Sequence, residues 1–381
     1  MEATGIICEY NPLHLGHKKQ LDAVRAAYPD GGIVCLMSGN YVQRGAPAIL
    51  DKSIRARAAI ESGADLLLEL PLTASLSSAE GFAREGVRIL GGFCQRLCFG
   101  AETADKDALL ATAGGLLQAD FPEALHRELE KGLSFPAARQ KALESMGLSA
   151  DLLSQPNDIL AVEYCKAILS LGLSMEPMVI AREGSYHDTD ADNQNPSATA
   201  VRALMQQGKG WEPFVPEVAR DIFTGASLHN LAAGEQAILY RLRTMTDEEF
   251  EHLPYGSEGL WRKLMQNART LANLEDIVAA TKSKRYARTR LDRMVMCAFL
   301  GITGKDIASP APYVRVLALN DKGREILKTA RETGCFPNAG ESVDHPYQEL
   351  EIRAGRLYSF FAMGGEMPQQ EQERRIYYKK A

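Results

Sequence analysis

The strongest constraint on the fold is an alternation, through the first half of the chain, of short apolar runs with longer segments whose apolar residues recur at helical spacing. Residues 5–10, 32–38, 64–70, 96–100 and 177–182 read as strands, and residues 16–27, 51–62 and 77–90 as amphipathic helices, with Ser78 and Glu80 suited to a first turn. Strands without polar alternation are buried on both faces, so the class is α/β with a parallel sheet between helical layers. Residues 105–171 are helical throughout, more than one crossover requires, and read as an insertion packed beside the sheet. A further helix is expected at 197–207, after which Pro213 and Pro216 break the chain. Beyond them helices dominate, with one late strand at 313–319 and a polar end, 369–380, expected to fray. The organisation expected is a catalytic unit over 1–215, with its insertion at about 105–172, and a mostly helical unit over 216–381, divided near 209–228.

With 381 residues the chain can bury a full core. No run approaches the roughly 18 apolar residues of a membrane helix, and the N-terminus enters a strand directly, so no membrane association and a cytoplasmic location are expected. Seven cysteines, mostly in apolar patterns, fit packing residues of a reducing compartment. No metal ligands are assigned. Net charge is −6, which argues against coating nucleic acid by bulk charge. A local exception exists: Lys282, Lys284, Arg285, Arg288, Arg290 and Arg293 stand within thirteen residues against Asp292 alone. Such a stripe suits RNA phosphates, the alternative being a solvated helix face.

The chemistry concentrates where the first strand ends. Asn11-Pro12 leads to His14-Leu15-Gly16-His17 at a helix start, delivering two imidazoles to the mouth of the sheet, where open α/β sheets bind ligands. Imidazole N–H donors beside a helix N-terminus stabilise charge developing on an α-phosphate and on departing pyrophosphate, and Gly16 permits close backbone approach. The alternative is that both are capping or surface histidines. Gly39 follows the second strand, and Ser197-Ala198-Thr199-Ala200-Val201-Arg202 opens a helix with hydroxyls and an arginine, a second anion-binding start suited to β- and γ-phosphates.

These elements resemble the HxGH nucleotidyltransferase superfamily. The strings GIICEYNPLHLGH, MSGNYVQRGAPAILDKSIRA, GADLLLELP, SAEGFA, FGAE, GLSFPAARQKAL, PNDILAVEY, YHD, SATAVR and TKSKRYARTR, in that order, are similar to the tRNA(Met) cytidine acetate ligase family. The resemblance implies a Rossmann-like sheet and formation of acetyl-adenylate from ATP and acetate; Mg²⁺ is expected beside it, to neutralise pyrophosphate. It further implies acetylation of the wobble cytidine of elongator tRNA(Met) to N4-acetylcytidine. The family's ATP segment falls on Ile7, Cys8, Glu9, Tyr10, Asn11, Pro12, Leu13, His14, Leu15, Gly16, His17, Lys18, Lys19 and Gln20, and its further ATP contacts on Gly100, Asn157 and Arg182. His14 and His17 are the catalytic candidates; Ser197, Thr199 and Arg202 are candidates for the β- and γ-phosphates. For Asn157 the alternative is a helix cap.

Two readings stay open beside this one. A small-molecule adenylyl- or cytidylyltransferase would share the phosphate site but has no use for the basic stripe. A non-catalytic RNA-binding nucleotide sensor would tolerate loss of the histidines. Lys52 and Arg55 are expected either to line the mouth, on pyrophosphate or RNA, or to face solvent, and His187 and Asp188 either orient acetate or metal or are loop residues.

Overall fold

The computed structural model describes residues 1–182 and 197–380; His187 and Asp188 lie outside the described residues. Among the described residues nine strands form: β1 (Ala3–Cys8), β2 (Gly32–Ser38), β3 (Tyr41–Val42), β4 (Ala46–Pro47), β5 (Leu66–Leu70), β6 (Arg96–Ala101), β7 (Glu176–Ala181), β8 (Val316–Asn320) and β9 (Tyr377–Lys379). Seven of them make one sheet in the order β7-β6-β1-β2-β5-β8-β9, and β3 pairs with β4 in a short ribbon. The five strands expected in the first half of the chain are all present and mutually parallel, within two residues of the expected bounds, and the late strand expected at 313–319 is β8. Strand order reverses between β1 and β6, so a crevice opens beyond their carboxyl ends.

Side-chain alternation along the strands builds two cores. Ile6, Cys8, Ile33, Cys35 and Met37 face α1 (Leu15–Ala27), α2 (Lys52–Glu61) and the helix Ala198–Gln206 through Leu21, Val24, Ile60, Val201 and Met205. Ile7, Val34 and Leu36 face the opposite layer, where Phe82, Val87, Val162 and Ile326 pack. The expected insertion is four helices, Lys106–Gly115, Phe121–Glu130, Phe135–Ser145 and Pro156–Ser170, and it shares that second core through Leu109, Phe121 and Leu143.

The chain beyond residue 216 is mostly helical, but it is not confined to a separate unit. Val215, Ala219 and Phe223 still pack on the core of the sheet, and β8 and β9 extend the sheet itself, β8 antiparallel to β5. The C-terminus does not fray as expected, because β9 pairs with β8 and carries 377–379 into the sheet. Between these returns, the helices Glu235–Thr244, Leu260–Thr270, Leu274–Thr281, Arg288–Leu300 and Tyr347–Tyr358 enclose a third core, into which Tyr41 and Leu76 reach from the first hundred residues. The helix Arg288–Leu300 stops at Gly301, whose φ of +68° is the left-handed cap that glycine adopts without strain.

Candidate active site

β1 ends short of its expected boundary because Tyr10 turns to a φ of +44°, rare for a residue with a side chain, and sends the chain into Asn11 and Pro12. Tyr10 and Leu13 are fully buried and Ile7, Cys8 and Pro12 nearly so; their side chains belong to the core and shape the turn. Asn11 fixes the turn to its neighbour by accepting the Ile49 amide at 2.7 Å. Of the remaining residues of this stretch, Lys18 pairs with Asp22, Lys19 is exposed, Leu15 is half-buried, and Gln20 donates to the Cys98 carbonyl at 3.3 Å, linking α1 to β6.

His14 is the N-cap of α1 and His17 its third residue, joined in a reciprocal box. The Nδ1 of His14 accepts the Gly16 amide at 3.0 Å, and the Nδ1 of His17 accepts the His14 amide at 3.2 Å. With both Nδ1 atoms accepting, a neutral ring carries its proton on Nε2. Capping and catalysis are thus not alternatives: the cap fixes the tautomer and turns two N–H donors away from the helix. The rings lie 3.9 Å apart, with Tyr10 edge-on to His17 at 4.9 Å. Gly16 is required here, since a Cβ on it would stand 2.8 Å from His14 Cε1. Burial first, then the charges of Arg182 and Arg202, push the His14 imidazole down to about 3; burial, His14 and Arg182 hold His17 well below its ordinary value.

Two further groups converge on these rings. Ser197 caps the helix Ala198–Gln206 by accepting the Ala200 amide at 3.2 Å. From that helix Arg202 donates to the Asn11 carbonyl at 2.6 Å and to Thr199 Oγ1 at 2.9 Å, pinning the second helix start to the histidine turn. Across the crevice, Arg182 at the end of β7 lies over Gly100 of β6, where a Cβ would meet its Cγ at 3.0 Å. Its Nη1 donates to Asn157 Oδ1 at 2.9 Å. Asn157 is not the cap of its helix: it is the second residue of Pro156–Ser170, and the carboxylate of Glu102 caps that helix, accepting the Asn157 amide at 3.3 Å and the Asp158 amide at 2.7 Å. The sequence reading missed Glu102, although it is the last residue of the FGAE string.

Lys52 and Arg55 line no phosphate site and face no solvent, against both expectations. Lys52, 4% exposed, sits at 2.8 Å from Glu69 and from Glu371, and Arg55, fully buried, donates to the carbonyls of Leu50, Glu9, Ser38 and Gly39. Arg55 thereby gathers the carbonyl ends of β1 and β2, which backbone pairing leaves unmatched.

The basic stripe is likewise not one exposed surface. Lys282 and Lys284 are exposed and form no ion pair among the described residues. Acids meet the next two: Arg285 pairs with Glu258 at 3.0 Å, and Arg288 with Glu275 at 2.7 Å, both from other segments, and with Asp292 of its own helix at 2.9 Å. Arg290 holds the Tyr255 carbonyl at 2.8 Å, while Arg293 is buried against the Tyr255 ring and donates to the Gln43 carbonyl at 3.4 Å. Gln43 in turn donates its amide to Glu9 at 2.8 Å, so the stripe is joined to the end of β1 through the tip of the β3-β4 ribbon.

A parallel sheet with a histidine-capped helix at its switch point is the architecture of a nucleotidyltransferase, and a family model described as HIGH Nucleotidyl Transferase matches residues 1–374. Thermotoga maritima TmcAL superposes in its apo crystal structure with a TM-score of 0.90 at 29% identity, and in a crystal structure bound with alpha-thio ATP with 0.88 at 28%, each over 100% of both chains. The tRNA(Met) cytidine acetate ligase of Clostridium perfringens (strain SM101 / Type A) is 34% identical over 94% of this chain and 95% of its own. That of Clostridium novyi (strain NT) is 36% identical over 88% and 89%. The chain belongs to the tRNA(Met) cytidine acetate ligase family.

Proposed function

We propose that this protein is a cytoplasmic ligase that activates acetate with ATP as acetyl-adenylate and acetylates the wobble cytidine of elongator tRNA(Met) to N4-acetylcytidine. The observation that carries the reading is the pair of neutral imidazoles, locked by the cap with both Nε2–H groups turned outward, between the arginines Arg182 and Arg202. In the first step an acetate oxygen attacks the α-phosphorus and the bond to the bridging oxygen of the β-phosphate breaks, releasing pyrophosphate. His14 and His17 donate to the crowded α-phosphate, and Ser197, Thr199 and Arg202 hold the β- and γ-phosphates. The segment from Ile7 to Gln20, with Gly100, Asn157 and Arg182, binds the rest of the nucleotide. Mg²⁺ would enter on ATP, neutralising the pyrophosphate charge. In the second step the cytosine N4 attacks the acetyl carbonyl carbon, the C–O bond to the phosphate breaks, and AMP leaves with the proton released to solvent.

Lys282 and Lys284 offer tRNA its first phosphate contacts, with Arg285 and Arg288 exchanging their carboxylate partners for phosphates as the RNA settles, and Arg290 and Arg293 supporting that face from behind. A cofactor-forming nucleotidyltransferase would have no use for this surface. Purified protein incubated with ATP, acetate, Mg²⁺ and bulk tRNA is expected to yield N4-acetylcytidine in one tRNA species by nucleoside mass spectrometry. Absence of the modified base, with tRNA bound and ATP unconsumed, would overturn the reading.

A further inference from the structure

Asn157 and Arg182 do not hold their own positions; a carboxylate behind them does. Glu102 leaves the end of β6 and turns both oxygens onto the start of the helix Pro156–Ser170. Oε2 takes the Asp158 amide at 2.7 Å, and Oε1 takes the Asn157 amide at 3.3 Å and the Asn157 side-chain Nδ2 at 2.5 Å. A carboxylate at a helix N-terminus is favoured by the helix dipole and by unpaired amides. The consequence for Asn157 is directional. An ionised carboxylate only accepts, so the Asn157 amide must present Nδ2 to Glu102 and therefore Oδ1 to the other side, where Arg182 Nη1 donates to it at 2.9 Å. The guanidinium is then held across Gly100, at the crevice beside the histidine pair.

We propose that Glu102 is a positioning residue for nucleotide binding: its charge sets the orientation of the Asn157 amide, and that amide aims Arg182 at the ATP. This rests on the reading of Asn157 and Arg182 as ATP contacts. A second contact at the same junction supplies the control. Asp158 Oδ1 accepts the Thr103 amide at 2.9 Å, so it ties the same β6 exit to the same helix while touching neither Asn157's amide nor Arg182.

Glu102→Gln keeps the size but has one acceptor where two are needed. With its NH₂ toward Asn157, the Asn157 amide reverses and puts N–H groups against Arg182; with its NH₂ toward the Asp158 amide, two donors meet and the helix start that carries Asn157 is pushed away, so in either orientation the guanidinium loses its fixed seat. ATP binding alone, measured by calorimetry, is expected to weaken by about tenfold in E102Q, the factor given by about 1.4 kcal/mol, while KM for acetate at saturating ATP is unchanged. Asp158→Asn is expected to lower the melting temperature at least as much as E102Q without weakening ATP binding. Glu102→Asp, which retains the charge, is expected to recover most of the affinity. Equal ATP affinity in E102Q and the parent, or equal loss in E102Q and D158N, overturns the proposal. If the parent protein itself bound no ATP, the functional reading would fall instead.

Discussion

At the scale of single residues, the histidine pair shows how one side chain can cap a helix and still keep a free ring donor. His14 spends its Nδ1 on the Gly16 amide, and because it does so its Nε2–H is committed outward. Replacing either histidine with alanine is expected to slow acetyl-adenylate formation by roughly 10²-fold, the scale of one transition-state donor; pyrophosphate exchange measures this without tRNA, and an unchanged exchange rate would remove the assigned role. The pH response has a definite sign. The folded His14 titrates at about 3 and an unfolded one near its ordinary 6.5, so between those values the unfolded chain binds the extra proton. Stability attached to His14 is therefore complete above about pH 6.5 and is lost as pH falls toward 3. His14→Gln, whose carbonyl can still accept from Gly16, is expected to show a shallower loss of melting temperature between pH 6.5 and 4. An equally steep loss in the variant would show that the acid sensitivity lies elsewhere. The place of the histidines at a strand end opening a helix was legible in the sequence, and the cap was one of the two readings it left open. Glu102 was not, because a lone carboxylate acquires its meaning only when a helix fifty-five residues later is brought against it.

At the scale of elements, legibility followed burial. Strands packed on both faces are written as unbroken apolar runs, and all five parallel ones were readable, with β1 cut short by the turn at Tyr10. β9 was not readable: Tyr377, Tyr378 and Lys379 are half-buried at a sheet edge, and only pairing with β8 makes them a strand. The β3-β4 ribbon was missed for a similar reason, being two residues a side, yet it joins the two halves of the proposed reaction. Its tip carries Gly45 at a φ of +76°, packed so closely on the first turns of the helix Arg288–Leu300 that a Cβ would lie 2.4 Å from the Asp292 carbonyl carbon and 2.5 Å from the Arg293 nitrogen. Behind the tip, Gln43 links Arg293 to Glu9. Gly45→Val must push the helix off the ribbon. Acetyl transfer to tRNA is expected to fall by about tenfold or more, some 1.4 kcal/mol in the barrier, while pyrophosphate exchange changes little. Equal loss in both assays would place the ribbon in adenylate formation alone.

Across the whole molecule, the two ends of the chain are locked by a buried ionic cluster that no local pattern announces. Lys52 opens α2 between Glu69 of β5 and Glu371, and Arg374 takes Asp51 with two nitrogens, at 2.9 and 3.0 Å, while its Nε holds Glu371. The opposing carboxylates raise the Lys52 amine above its ordinary value despite burial, and Arg374 and Lys52 hold Glu371 low. Read as sequence, Lys52 and Arg55 look like cations on a helix face; their partners come from strand ends and from a segment more than three hundred residues away. The cluster fixes residues 371–374 against α2 and, through Lys52, against Glu69 of β5, just ahead of the β9 that pairs with β8. Buried pairs of this kind are costly to break on one side, because the surviving charges keep their desolvation without compensation. Lys52→Met is expected to cost about 3–5 kcal/mol of unfolding free energy, read from urea denaturation at neutral pH. Neutralising the two carboxylates as well, in a Lys52→Met, Glu69→Gln, Glu371→Gln variant, is expected to recover much of that loss, since the uncompensated charges are then gone. If the single and triple variants were equally unstable, the lock would act through packing and not through charge.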